Sequence, residues 1–338
     1  MRKSKLVITI IISSILLFIF LLFSFLRLKR SDENLKIINL SEVTRSIFYC
    51  PQYIAMELGY FEQEGLKINI TTSEGSDKTM TALLSGHSDI SLMGAEMVIY
   101  VYNENRENYP ILFAQLTKKD GSFFVGRKNE NFSWENLKGK SIIAGRKGGL
   151  PEMVLEYVLR NHNLEPGKDV NLIKNIKFDL MPSAFLSGAG DYVMLFEPTA
   201  SIFEKEKNCY ILQSVGSQCE DITYTCYCAT QSYIKSNPET IKGFTRAIYK
   251  SQLWIYGHTA EETAKAVNHY FSGVDNELIS KSIKICKDIK VWAENPIIKK
   301  ENFNNMLKIV KEAGELSEEV EFDKVVDIEN NMYKQSHD

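Results

Sequence analysis

Cysteine and histidine are scarce in this chain of 338 residues, six and five respectively, and no C-x-x-C or H-x-x-x-H spacing occurs among them. Without that spacing there is no ready zinc ligand set, and no metal is expected. The cysteines at 50, 209, 219, 226, 228 and 286 are too sparse for a disulfide scaffold. Cys226 and Cys228 form the one close pair, and on a strand that spacing puts both on one face, poorly arranged to bond each other. Eight prolines and 19 glycines are too few for a collagen-like or low-complexity chain, so the chain should fold. A basic stripe is also lacking. Six of the 40 basic residues precede Ser31, with no acid among them, which leaves 34 basic against 43 acidic and a net charge of −9 for the remainder. Such a surface repels phosphate backbones, and no nucleic-acid partner is expected.

The usual catalytic signatures are missing as well. Gly139-Lys140-Ser141 looks like the end of a phosphate-binding loop, but the motif needs glycine at 134 and Trp134 stands there. No G-x-S-x-G or H-E-x-x-H segment occurs, and Gly145-Arg146-Lys147-Gly148-Gly149 does not satisfy G-x-G-x-x-G. That segment lies between a predicted strand and a helix opened by Pro151, so it offers free backbone N–H groups to an anion beside Arg146 and Lys147. A plain turn with solvated basic residues would read the same way, and both readings stay open.

Long apolar runs are absent except for one. Leu6–Leu26 holds 21 residues without a charge, enough to cross the hydrocarbon layer as a helix. It ends Ser24-Phe25-Leu26-Arg27, without an A-x-A-like site, so an uncleaved single-pass anchor is expected over residues 6–26. Basic residues flank both ends and leave the orientation undecided. The rest, about 300 residues, argues for two domains. From Lys36 short strand patterns alternate with helices such as 51–62 and the helix capped by Ser76, then a second series runs from Ser141 to Val215. Beyond Tyr224–Cys228 the pattern is helical, with Ile241, Phe244, Ile248 and Ile255 aligned and a Thr259/Glu262 capping box. Repeated βα units imply mostly parallel sheets, and two α/β lobes imply a cleft between them.

Phe48-Tyr49-Cys50-Pro51-Gln52-Tyr53-Ile54-Ala55 followed by Gly59-Tyr60-Phe61-Glu62-Gln63-Glu64-Gly65-Leu66 resembles the opening of type II solute-binding proteins of ABC importers, in the sulfonate, nitrate and thiamine-pyrimidine clade. Leu84-Ser85-Gly86-His87-Ser88-Asp89-Ile90, Asn136-Leu137-Lys138-Gly139-Lys140, Leu195-Phe196-Glu197-Pro198 and Asn237-Pro238-Glu239 continue the likeness, which spans about residues 36 to 256. The resemblance implies a type II periplasmic-binding-protein fold of two α/β lobes around a ligand cleft, here preceded by one N-terminal transmembrane helix. It divides the chain into an anchor and linker (1–34), lobe one (35–118 plus 224–338) and lobe two (119–223), with crossovers near 117–122 and 216–224. It further implies hinge closure on a small solute, an ABC permease and its ATPase as partners, and a soluble part outside the cell membrane. Fungal enzymes of the clade make the pyrimidine from pyridoxal phosphate and one of their own histidines, using a Schiff-base lysine in the segment that here reads Met93-Gly94-Ala95-Glu96-Met97. Neither residue is present there, so a binding protein without cofactor is expected rather than an enzyme.

Loops at the carboxyl ends of parallel strands line the crevice of open α/β sheets. That rule selects Phe48, Tyr49, Tyr53, Gly94, Glu96, Gly148, Gly149, Leu150, Glu197, Tyr224 and Tyr227 as ligand-binding candidates. Aromatic faces would sandwich a flat ring, and Glu96 and Glu197 would accept hydrogen bonds from ring nitrogens or an amino group. Core packing of each tyrosine and helix capping by Glu197 are the competing roles. An anchored sensor that reports ligand occupancy is the alternative function. A chain beginning near Ser31 should be soluble and monomeric and keep ligand binding; aggregation on size-exclusion chromatography would count against the anchor assignment.

Overall fold

The computed structural model describes residues 35–316 and 318–331. Its ten strands are β1 (Lys36–Glu42), β2 (Leu66–Thr72), β3 (Ile90–Gly94), β4 (Pro110–Thr117), β5 (Ser122–Gly126), β6 (Ser141–Ile143), β7 (Asn171–Ile173), β8 (Tyr192–Phe196), β9 (Tyr210–Ser214) and β10 (Thr225–Thr230). They form two five-stranded sheets, ordered β2-β1-β3-β10-β4 and β7-β6-β8-β5-β9. In the first, β1 runs parallel to β2 and β3, while β10 lies antiparallel between β3 and β4. In the second, β6 runs parallel to β7 and β8, while β5 lies antiparallel between β8 and β9. Each sheet thus receives one reversed strand directly from the other. The two-sheet architecture that the resemblance implies is observed, but the sheets are mixed rather than mostly parallel, because each takes in a reversed strand at the crossovers.

The helices that matter below are α1 (Cys50–Glu57), α2 (Tyr60–Gln63), α3 (Ser76–Leu84), α4 (Glu96–Asn103), α5 (Leu150–Asn161), α6 (Met181–Leu186), α7 (Thr199–Glu206), α8 (Gln231–Ser236), α9 (Pro238–Gly257), α10 (Ala260–Val267), α11 (Asn276–Asp288) and α12 (Lys300–Glu312). Two details depart from expectation. The helix read as 51–62 is broken into α1 and α2, because Gly59 adopts φ 68°, a left-handed conformation that ends one helix before the next begins. Gly75, rather than Ser76, occupies the N-cap of α3. The apolar stripe of α9 is as expected, with Ile241, Phe244, Ile248 and Ile255 all buried, and Thr259 and Glu262 form the capping box of α10. Among the described residues no helix is long and apolar enough to cross a membrane. The anchor expected at 6–26 lies outside the described residues.

The chain passes between the sheets at 118–121 and again at 215–224. The two crossovers lie side by side, with Val215 N–H donating to the Ser122 carbonyl at 3.0 Å, Ile222 N–H to Lys118 at 2.8 Å and Tyr224 N–H to Thr117 at 3.3 Å. Gly216 makes this approach possible, since a Cβ there would stand 1.9 Å from the Asp120 carbonyl oxygen. The fully buried Asp120 side chain ties the junction. Its Oδ1 accepts from the Ser122 amide at 2.8 Å and from the Ser122 hydroxyl, and its Oδ2 accepts from the Tyr224 hydroxyl at 2.5 Å. Gly216→Ala should force the crossovers apart and cost roughly 1–3 kcal/mol of stability, the range of overpacked cores. Chemical denaturation measures this, and wild-type stability in the variant would show that the two segments separate freely.

Candidate functional site

A cavity of about 340 Å³ opens between the sheets at the carboxyl ends of their parallel strands. The first sheet contributes Val43, Thr44, Ser46, Phe48 and Tyr49 after β1, residues 74–78 after β2, and Gly94 and Glu96 at the end of β3. The second contributes Ala144, Gly145, Arg146, Gly149 and Leu150 after β6, residues 174–178 after β7, and Met194 and Phe196 on β8. Tyr224 and Thr225 come from the second crossover.

Phe48 is the centre of the aromatic part. Ser46 opens the turn that carries it, accepting from the Phe48 amide at 3.2 Å, and Trp292 Nε1–H donates to the Phe48 carbonyl at 3.0 Å. Its ring lies 5.6 Å from Tyr49, 5.5 Å from Tyr224 at 85°, and 5.2 Å from Phe196 of the other sheet at 61°. Gly121 leaves room for it, because a Cβ there would meet the ring at 2.4 Å.

Seven of the expected site residues meet in this cavity: Phe48, Tyr49, Gly94, Glu96, Gly149, Leu150 and Tyr224. Four do not. Tyr53 and Tyr227 are fully buried in the first sheet's core, Tyr53 donating to Glu42 Oε2 at 2.7 Å and Tyr227 to Gln52 Oε1 at 3.1 Å. Gly148 is turned away, its N–H on Glu152 Oε2 at 3.1 Å and its carbonyl accepting from Tyr100 at 2.9 Å. Glu197 borders only an adjoining recess of about 140 Å³, and its carboxylate accepts from Ser201 Oγ at 2.8 Å, the Ser201 amide at 3.2 Å and Ser282 Oγ at 2.9 Å. It caps α7 and ties it to α11. Lys174, Asn175 and Phe178 escaped the sequence reading, although they follow a parallel strand and the same strand-end rule selects them.

Three amides at the end of the glycine turn and the start of α5 already have acceptors. Gly148 donates to Glu152, Gly149 to the Arg146 carbonyl at 3.1 Å, and Leu150 to Glu96 Oε1 at 3.4 Å. Lys174 bonds Glu152 Oε1 at 2.5 Å and also Glu156, which Arg160 holds at 2.7 Å. Burial opposes the Lys174 charge, but the hydrogen bonds and charges of Glu152 and Glu156 outweigh it and push its ionisation up. It is held as a cation rather than as a nucleophilic amine.

Glu96 is the unusual group. It opens α4, is 1% exposed, and its Oε2, set against Gly94, makes no hydrogen bond of acceptable geometry among the described residues. Burial pushes its carboxyl up to about 7, against the opposing pull of its own amide, the Arg146 charge and the amides of Leu150 and Met97. Among the described residues no group of three His, Cys, Asp or Glu side chains is placed to hold a metal ion.

The family model described as NMT1/THI5 like matches residues 48–262. The chain belongs to the NMT1/THI5-like family. YtlA of Bacillus subtilis (strain 168), named as a candidate binding protein, is 42% identical over 312 residues, covering 92% of this chain and 93% of that one. A 4-amino-5-hydroxymethyl-2-methylpyrimidine phosphate synthase of Schizosaccharomyces pombe (strain 972 / ATCC 24843) is 23% identical over 257 residues, covering 71% and 70%. Among solved structures, the ligand-binding component of an ABC-type import system from Staphylococcus aureus, with zinc bound, superposes with a TM-score of 0.70 at 14% identity, covering 88% of this chain and 98% of that one. In this member of the NMT1/THI5-like family the turn from β3 into α4 carries Gly94, Ala95 and Glu96, without lysine or histidine.

The raised carboxyl of Glu96 has a thermodynamic consequence. The unfolded chain ionises this group near 4.5 and the folded chain near 7. Folding therefore loses stability as pH rises between those values, by about 3 kcal/mol in all, and the loss levels off above the folded value. Glu96→Gln removes the titration. Denaturation curves of variant and wild type should converge near pH 4.5 and separate in the variant's favour toward pH 7; a constant difference would show that Glu96 ionises normally.

Proposed function

We propose that this chain is the membrane-anchored, extracytoplasmic solute-binding component of an ABC importer. On this reading residues 6–26 tether it beside its permease and ATPase, lobe one is 35–118 with 224–338, and lobe two is 119–223. The lobes close on a small organic solute, with a thiamine-pyrimidine precursor as the leading candidate. The observation that carries the reading is the shared construction of the cavity: strand ends of both sheets line it, and Phe48 of one meets Phe196 of the other at 5.2 Å. With two crossovers as the connection, rotation of one sheet against the other opens such a site to water and closes it on a ligand. The aromatic walls around Phe48 suit a flat ring, and the family's name and its synthase relatives support a pyrimidine.

Small-angle scattering of the chain from Ser31 tests the reading. Adding 4-amino-5-hydroxymethyl-2-methylpyrimidine or another accepted solute should reduce the radius of gyration. Tyr49→Ala, which removes an aromatic wall, should weaken binding about tenfold, the lower part of the range for aromatic stacking on a heterocycle. An unchanged scattering profile under saturating solute would sink hinge closure.

A further inference from the structure

A helix N-terminus draws oxyanions because its amides and dipole face them. At the start of α5 the chain has already supplied acceptors to three amides. Glu152 takes the Gly148 N–H at 3.1 Å, the Arg146 carbonyl takes that of Gly149 at 3.1 Å, and Glu96 takes that of Leu150 at 3.4 Å. Glu96 comes from the first sheet's side of the cavity and α5 from the second, so the carboxyl stands where the two walls meet. Its Oε2 is buried without a hydrogen-bond partner, against Gly94, whose missing Cβ would lie 2.1 Å away. A buried acceptor left unmatched is costly, and a ligand that brings a donor relieves that cost. A ligand oxyanion approaching Glu96 would meet a second acceptor and find the Gly148, Gly149 and Leu150 amides already bonded.

Of the four cations that line the cavity, Lys78, Arg146 and Lys177 are exposed and Lys174 is half-buried, so none sits at the buried carboxyl of Glu96. Lys174 is committed to Glu152 and Glu156. Arg146 lies at the exposed rim, donates weakly to Met97 Sδ at 3.7 Å, and directs its charge at Glu96.

We infer that Glu96 sets the charge class of the solute: it accepts a hydrogen bond from an N–H group of a neutral or cationic nitrogen heterocycle and keeps sulfonate, nitrate and phosphate groups away from the base of the cavity. The inference rests on the solute-receptor reading and narrows its ligand.

The test is calorimetric titration of the full-length chain in detergent, with 4-amino-5-hydroxymethyl-2-methylpyrimidine, methanesulfonate and nitrate as probes, alongside amide exchange at 94–97 and 145–150. Wild type should bind the pyrimidine and neither oxyanion. Glu96→Ala should weaken the pyrimidine at least tenfold and gain oxyanion binding at the freed Leu150 amide. The isosteric Glu96→Gln, which keeps an acceptor oxygen, should retain an intermediate affinity. Oxyanion gain in Glu96→Ala supports the inference even where another heterocycle is the natural solute. Wild-type binding of methanesulfonate or nitrate, unchanged pyrimidine affinity in Glu96→Ala, or silence of every protein toward every probe overturns it. The two levels separate cleanly. Oxyanion binding that protects both loops preserves the receptor reading and removes the role of Glu96, whereas Glu96-dependent pyrimidine binding that protects 94–97 alone preserves that role and removes lobe closure.

Discussion

The Asp120 carboxylate, buried between the two crossovers and bonded to Ser122 and Tyr224, fixes the geometry on which the cavity depends. Ser122 begins β5, the strand that enters the second sheet, and Tyr224 immediately precedes β10, the strand that returns to the first. One side chain therefore registers both passages of the chain. Burial pushes Asp120 upward, opposed by the hydrogen bonds from Ser122 and Tyr224, so the junction holds an acid whose charge is tolerated only through those partners. Because the Tyr224 ring also packs edge-on against Phe48, the crossovers and the cavity share a wall.

Around this junction the lobes touch again at their flanks, and the contacts differ in weight. Lys205 to Asp275 and Lys281 to Glu204, each at 2.5 Å, join α7 to α11, but three of the four side chains are exposed and the fourth, Glu204, is only half-buried, so such pairs contribute little. Glu197 is different. It is buried, its carbonyl accepts from Ser46 Oγ at 2.6 Å and from the Ile47 amide at 3.2 Å, and its carboxylate accepts from Ser282. Separating the elements that carry these groups would expose or strand them, a larger cost than losing the surface ion pairs. A glutamate that the sequence offers as a ligand acceptor is thus spent on holding the two lobes together.

That contrast shows how far the residues could be read unaided. Strand-end logic finds Phe48, Gly94 and Leu150 because a strand followed by a turn and a helix is visible in the pattern. It misplaces Tyr53 and Tyr227 because periodicity reveals that a residue is buried without saying whether ligand or core covers it. Tyr227 sits two residues along β10 from the cavity-lining Thr225, deep enough to meet Gln52 instead. β5 was missed for a related reason: all five of its residues are buried, so neither alternation nor a helical stripe marks it. The glycine turn before α5 shows the opposite failure. Its composition allows an anion site, but whether the Leu150 amide beside it is free depends on Glu96, which lies 54 residues away in sequence.

The electrostatics of the cavity follow from that last contact. A receptor for a sulfonate or nitrate needs donors at its base, and a helix N-terminus supplies them without burying a full charge. Here the same position is closed by a carboxyl that burial has made reluctant to ionise, beside an amide that bonds it only weakly at 3.4 Å. In its neutral form Glu96 carries both a donor and an acceptor, and in its charged form two acceptors. Either form can pair with the edge of an aminopyrimidine, one through a ring nitrogen and an amino group, the other through a protonated ring. Neither form offers an oxyanion the set of converging donors that would repay its lost hydration. The aromatic walls suit a flat ring of any charge, so on the proposed reading discrimination at the base of the cavity would fall on this carboxyl.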